Sequence, residues 1–393
     1  MFLDATLRRN PNLIKYATGL HQQGDISPNS YVIDVDAVEF NAREIKKKAQ
    51  EHNIDLYMMT KQVGRNPELA RRIAKCGIEK AVAVDPWEAI ALAEAKIKLG
   101  NVGHLVQIPN SMISKILSYR PEVITVFSYE MAEAISEEAQ KMDIVQDVLL
   151  KVVGRKDIVY EGQLGGFKEE GLIEEARKVN NLPNVNIAGV TAFPCFIYDY
   201  EKKKITATEN SKTLLRAYEK LENQLKIKIK QINAPSATSC HTIPMLQKLG
   251  ATHGEPGHAL TGTTPLNGQS DQAVEIPAMV YVSEISHTFD NKAYVYGGGY
   301  YRRSKVQKAL VGKDFKSLSN QKLPAEDINP ESIDYYGALE IQPNQNVCIG
   351  DTVVYAFRTQ IFVTRSEVVL VEGISQQNPR IIGVYDSFGK KIR

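Results

Sequence analysis

Lys61, Ser236 and Glu255 are the residues whose types and neighbours could act together in catalysis. Lys61 directly follows the apolar run IDLYMMT, so its amine projects from the end of a strand. Partial desolvation there leaves some neutral amine, the form that makes a Schiff base with a carbonyl. Taken alone the signal is weak, because strand ends often carry solvated lysines. Glu255 lies in GATHGEPGHALTG, where Pro256 and Gly257 fix a tight turn into a short helix. The free backbone N–H groups of such a turn make a phosphate site. Ser236 and Ser239, in INAPSATSCHT, could donate to phosphate oxygens or simply cap a helix.

A carboxylate beside a phosphate turn has a further use. Facing the pyridine nitrogen of pyridoxal 5'-phosphate (PLP), it keeps that nitrogen protonated and makes the ring a stronger sink for a carbanion's electrons.

The elements must bring these residues to one place. From about residue 55 to 255, short β-prone runs alternate with amphipathic helical runs, the pattern of a parallel sheet with crossover helices. The strand candidates are Ile54–Thr60, Lys80–Val84, His104–Gln107, Val123–Val126, Val148–Val153, Val185–Thr191, Ile227–Asn233 and Ala251–Gly254. That number closes a (β/α)8 TIM barrel, whose chemistry gathers at the C-terminal strand ends. The residues expected there are Lys61, Asp85, Ile108, Phe127, Gly154 with Arg155, Phe193 with Cys195, Ser236, and Glu255 with Gly257. Upstream, YVIDVD and the helix-forming run after it are expected to lead into the barrel. After about residue 270 the chain turns to β-branched and aromatic alternation. The expected architecture is α/β: a lead-in over 1–30, an eight-stranded barrel over 31–270 and a mostly-β C-terminal domain over 271–393.

Composition narrows the function classes. Forty-eight lysines and arginines against 46 acidic residues leave no basic stripe for nucleic acid. The four cysteines are widely spaced, with no CxxC pair, and read as reduced thiols. Neither a signal-peptide core nor an apolar run of membrane-spanning length is seen, so a cytoplasmic protein is expected. His241, His253 and His258 lack metal-ligand spacing, and no metal is expected.

In order, YVIDVDAVEFNA, MMTKQVGRNPELA, NAPSATS and GEPGHALTG resemble the alanine racemase-like, fold type III PLP enzymes over most of the chain. MTKQVGRNP and EGQLGGF most resemble the YhfX-like branch. The resemblance implies that Lys61 carries PLP, and that Ser236 and the backbone at Gly257 and His258 hold its phosphate. Arg65 falls where racemases place a phosphate-binding tyrosine. Tyr296, in AYVYGGGYYRR, matches the second acid/base that a partner subunit supplies, with Tyr300 as the alternative. There are departures from the racemase pattern. Glu255 replaces an arginine facing the pyridine nitrogen, Gln163 replaces an arginine near the substrate carboxylate, and Ala192 replaces a histidine beside the ring.

The function expected from these residues and the resemblance is a homodimeric PLP-dependent amino-acid racemase or epimerase acting on a small-molecule substrate. The alternatives are a decarboxylase or aldolase, suggested by the EPG turn, and a non-catalytic PLP-binding protein. The roughly 120 residues after the barrel disfavour the last, since barrel-only PLP carriers lack such a domain.

Overall fold

The structure is a computed structural model that describes residues 1–393 except 298–303, 305, 327–328, 330, 332 and 361–365. Its contacts divide the chain into two compact units, Ala42–Lys61 with Ala70–Gly257, and Met1–Asn41 with Gln62–Leu69 and His258–Arg393.

The first unit is a barrel. Its strands are β1 (Asp55–Met59), β2 (Lys80–Ala83), β3 (Lys98–Val102), β4 (Val123–Val126), β5 (Gln146–Val153), β6 (Val185–Thr191), β7 (Gln231–Asn233) and β8 (His253–Gly254). All pair in parallel, each with its sequence neighbour, and β8 closes the ring on β1 through His253 opposite Asp55 and Gly254 opposite Leu56. The helices between them carry the expected start signals. Asp85 caps Pro86–Glu94, accepting from the Glu88 N–H, and Ser128 caps Tyr129–Lys141, accepting from Met131. Val123, Leu149 and Ala188 form an apolar cluster, and the Gln231 amide donates to the Tyr57 hydroxyl at 2.8 Å.

One strand differs from expectation. β3 occupies Lys98–Val102, ahead of the expected His104–Gln107. Gly100 masks it in the sequence, because glycine reads as a strand breaker. In the fold that glycine is required: its register slips against β2, and a Cβ there would lie 2.2 Å from the Tyr57 ring. The slip is a bulge that re-aims the following side chain, Asn101.

The second unit is built on a nine-stranded sheet. The run expected to lead into the barrel, Ser30–Asp34, belongs to this sheet. It lies antiparallel to Met279–Phe289 and parallel to Glu367–Glu372, with all five residues buried. A strand buried on both faces shows no alternation that would say which sheet it joins, and its partners are hundreds of residues away. Residues 1–30 are likewise part of a packed core. Leu3, Leu13, Ile14, Ala17 and Ile26 pack with Val32, Val280, Val369 and Val384. The mostly-β unit therefore draws on both ends of the chain, and the barrel unit ends at Gly257. Among the described residues no helix is long and apolar enough to cross a membrane.

Asn10 ties the N-terminal helices to that sheet. Its side chain accepts from the Leu13 N–H as the cap of Pro11–Gln22, and donates to Asp34 Oδ2 at 2.8 Å and to the Pro277 carbonyl at 2.9 Å. Asn10→Ala removes the cap and leaves a buried carboxyl short of a donor, a combined loss of about 3 kcal/mol. Urea unfolding followed by circular dichroism is expected to show that decrease with an unchanged denaturant slope.

Candidate active site

The C-terminal ends of β7, β8 and β1 carry Ser236, Glu255 and Lys61, three consecutive positions around one barrel mouth. The Met59 N–H donates to the Pro256 carbonyl at 2.9 Å, which fixes the β1 and β8 ends against each other. The residue before Lys61 is also held. Thr60 is fully buried and donates to Glu88 Oε1 at 2.7 Å, while Glu88 Oε2 accepts from the Val84 N–H at 2.9 Å. This sets the direction in which the chain leaves β1.

Glu255 is buried at the centre of a polar network. Its Oε1 accepts from Asn233 at 2.8 Å and from Asn101 at 3.2 Å; Asn101 in turn accepts from Thr125 at 2.8 Å. The Glu255 N–H donates to Thr238 Oγ1 at 3.0 Å. Its other carboxylate oxygen, Oε2, is buried without a hydrogen-bond partner. His104 Nε2 lies 3.6 Å from it, beyond hydrogen-bond reach. His104 itself is fully buried, with neither ring nitrogen bonded, and its ring meets Phe193 edge-on at 5.5 Å. Burial lowers its pKa; Lys151 and Lys61 push the same way, and Glu255 opposes them. Burial thus disfavours the charged imidazolium.

At the end of β7, Ser236 and Ala237 both have left-handed backbone, with φ of 101° and 54°. Strain of this kind in non-glycine residues marks a place where the backbone is held for a purpose. The Ser236 hydroxyl donates to the Phe196 carbonyl at 2.6 Å, leaving its oxygen as an acceptor; Ser239 accepts from the Thr242 N–H in a local turn.

Lys151 enters the site from β5. It is 4% exposed, its Nζ lies 4.1 Å from the centre of the Phe127 ring, and it donates to the Gln163 carbonyl at 3.2 Å. Burial pushes its ammonium down to about 8.

Other expected residues are elsewhere. Asp85 is a helix cap, and Arg155 is a solvent-facing ion pair with Glu170. Cys195 is buried and donates to the Ala192 carbonyl, and burial pushes its thiol up. Arg65, His258 and Tyr296 belong to the second unit. Arg65 holds its guanidinium 5.5 Å from the Phe388 ring, His258 Nε2 bonds the Thr359 carbonyl, and Tyr296 ends the Lys292–Tyr296 strand with 39% exposure. Tyr300 lies outside the described residues.

Four members of the site were not anticipated: Asn101, His104, Lys151 and Asn233. The misplaced β3 hid the first two. Lys151 carries a legible signal, a charge in the middle of the apolar run Val148–Val153 of its strand.

Comparison with known proteins agrees with the barrel. A family model described as alanine racemase, N-terminal domain, matches residues 33–265, and one described as YhfX-like, C-terminal domain, matches 280–381. The chain belongs to the alanine racemase family, in its YhfX-like branch. It is 44% identical over 100% of both chains to uncharacterized protein YhfX of Escherichia coli. Its fold is similar to that of alanine racemase from Clostridium difficile in complex with cycloserine (TM-score 0.65, 19% identity, covering 92% of this chain and 99% of that one). It is also similar to D-threonine aldolase from Filomicrobium marinum (TM-score 0.68, 13% identity, covering 93% and 96%). The cofactor of the alanine racemase family is PLP, and its fold serves racemases, aldolases and dehydratases.

The residues present fit that cofactor. Glu255 Oε2 is a buried acceptor lacking a donor, which the N–H of a protonated pyridine ring would supply.

The Lys151 ammonium is expected to titrate near 8, protonated below and neutral above, against about 10.4 for an ordinary lysine. Carbon-13 NMR of lysine side chains, with Lys151→Met as the assignment control, reads this directly.

Proposed function

We propose that the chain is a PLP-dependent amino-acid racemase or epimerase, with Lys61 carrying the cofactor. The observation that supports this most is the Glu255 carboxylate: one oxygen is held by two asparagines, the other lacks a donor, and its strand adjoins that of Lys61.

When bound, the cofactor supplies an electron sink for the pair left at the α-carbon by a departing proton. The chain's own residues do the rest. Glu255 accepts from the ring nitrogen and holds that proton in place. Asn101 and Asn233 keep the carboxylate from rotating toward solvent. Lys61 Nζ is the base that takes the α-proton on one face, and Thr60, anchored on Glu88, limits how far it can stray. The backbone at Gly257 and His258 holds the phosphate, and Ser236 joins by turning its hydroxyl from the Phe196 carbonyl to a phosphate oxygen. On the opposite face Tyr296, supplied by a second copy of the chain in a homodimer, returns a proton. Its exposure on the second unit suits such a role.

A second reading, a decarboxylase or aldolase, draws on the same Glu255, because a protonated ring nitrogen supports any α-carbanion.

In deuterium oxide, with a panel of D- and L-amino acids, the enzyme is expected to exchange the α-proton of at least one without releasing carbon dioxide or aldehyde. Release of either would replace the racemase with the second reading. Lys61→Ala is expected to abolish the visible absorption of the lysine-linked cofactor and to slow exchange by about 10³-fold. Absorption that survives the substitution would remove Lys61 from this role. For Tyr296→Phe, exchange of one enantiomer should fall about 100-fold with absorption intact. Equal rates for both enantiomers would rule the tyrosine out.

A further inference from the structure

His104 is fully buried at the barrel mouth, and neither of its ring nitrogens has a hydrogen-bond partner. A buried polar group in that state is destabilising, so a fold that keeps one needs a reason other than packing. The backbone around it is built to hold the imidazole where it stands. Gly103, with φ of 85°, makes the turn out of β3, and a Cβ there would lie 2.9 Å from the Thr125 carbonyl. Gln107 braces the same turn. Its amide donates to the Gly103 and Thr125 carbonyls at 2.9 Å each, and its side-chain carbonyl accepts from the Phe127 N–H at 3.1 Å. The Phe193 ring meets the imidazole edge-on at 5.5 Å.

Three charged groups act on the His104 ring: Glu255 from β8, Lys151 from β5 and Lys61 from the end of β1. Two of them are cations, and only the carboxylate can accept a hydrogen bond. Glu255 Oε2 is itself unmatched, buried and 3.6 Å from His104 Nε2. That separation is too short for a bridging water and roughly half an ångström beyond a hydrogen bond. A small rotation of either side chain closes it. Of the two neutral tautomers, the one with its proton on Nε2 offers Glu255 a donor, whereas the other turns a lone pair toward a lone pair. Oε1 is already held by Asn101 and Asn233, so the imidazole acts on the oxygen that they leave free.

We propose that His104 is a positioning residue for Glu255, donating from Nε2 to Oε2 so that this oxygen is aimed at the cofactor's ring nitrogen. This rests on the functional reading above and deepens it. A carboxylate oxygen has lone pairs for two donors, one from the imidazole and one from the ring N–H. Hydrogen bonds to a carboxylate favour its ionised form, so the proton between the two partners stays on the ring nitrogen.

The first test is nitrogen-15 NMR of the full chain labelled in its histidine rings, where the nitrogen shifts distinguish the tautomers. His104, assigned by its loss in His104→Gln, is expected to carry its proton on Nε2. A neutral ring protonated on Nδ1 overturns the proposal. The second test is the cofactor affinity of the full chain after stripping and titration with pyridoxal 5'-phosphate. His104→Phe keeps a ring and its packing but removes the donor, and is expected to weaken binding about tenfold. The same variant should leave unchanged the binding of an analogue with C–H in place of the ring nitrogen. His104→Gln, whose amide nitrogen reaches as far as Nε2, should restore cofactor binding to within about threefold of wild type. A role in packing alone predicts the reverse order, with phenylalanine the better replacement. Equal losses for cofactor and analogue in His104→Phe, or a glutamine no better than phenylalanine, overturn the proposal. Should neither variant fold, the wild-type tautomer, assigned through the contact of the ring with Phe193, decides alone. The visible absorption of the lysine-linked cofactor is recorded on the wild type. Its absence counts against the functional reading, while the tautomer, read on the same chain, stands or falls separately.

Discussion

A carboxylate buried with one oxygen satisfied and the other unmatched is the constraint on which the barrel mouth depends. Glu255 could not be held in the interior by a single neighbour, because a buried charge is tolerated only where hydrogen bonds replace water. The replacement comes from three other strands at once. Asn101 from β3 and Asn233 from β7 donate to it, and Thr125 from β4 orients Asn101. A parallel barrel is suited to this, since its strand ends converge on one ring. The bulge at Gly100 is part of the same device, because without the slip in register Asn101 would be carried away from the network.

The same economy recurs away from the mouth. Glu88 is buried and shares its two oxygens between Thr60 and the Val84 backbone, so one carboxylate joins the ends of β1 and β2. Asn10 joins a helix start, a strand end and a distant carbonyl in the second unit. In each case a polar group inside the fold specifies a register that apolar packing would leave loose.

Much of this was legible in the sequence. Counting strands and reading the residue after each brings Lys61, Ser236 and Glu255 to one mouth, because every strand of a parallel barrel ends at the same face. Reading failed where a local rule met a tertiary exception. Gly100 looks like a breaker and is instead a close contact with Tyr57, so β3 was placed too late and Asn101 and His104 were missed. Ser30–Asp34 looks like a strand and is one, but its sheet is set by partners near residues 280 and 370 that no local pattern announces. The strand-end rule does not find Lys151, because the rule looks past the strand and this side chain lies within it.

The loop that covers Lys151 reaches it through the main-chain carbonyl of Gln163. A carbonyl is common to every residue, so the lysine would keep that anchor whichever side chain stood at position 163. The glycines at 165 and 166 fix the loop's path independently of that side chain. A different side chain at position 163 would therefore leave the main chain around Lys151 in place. The scaffold is carried by backbone atoms and two glycines, so it is indifferent to the chemistry displayed above it.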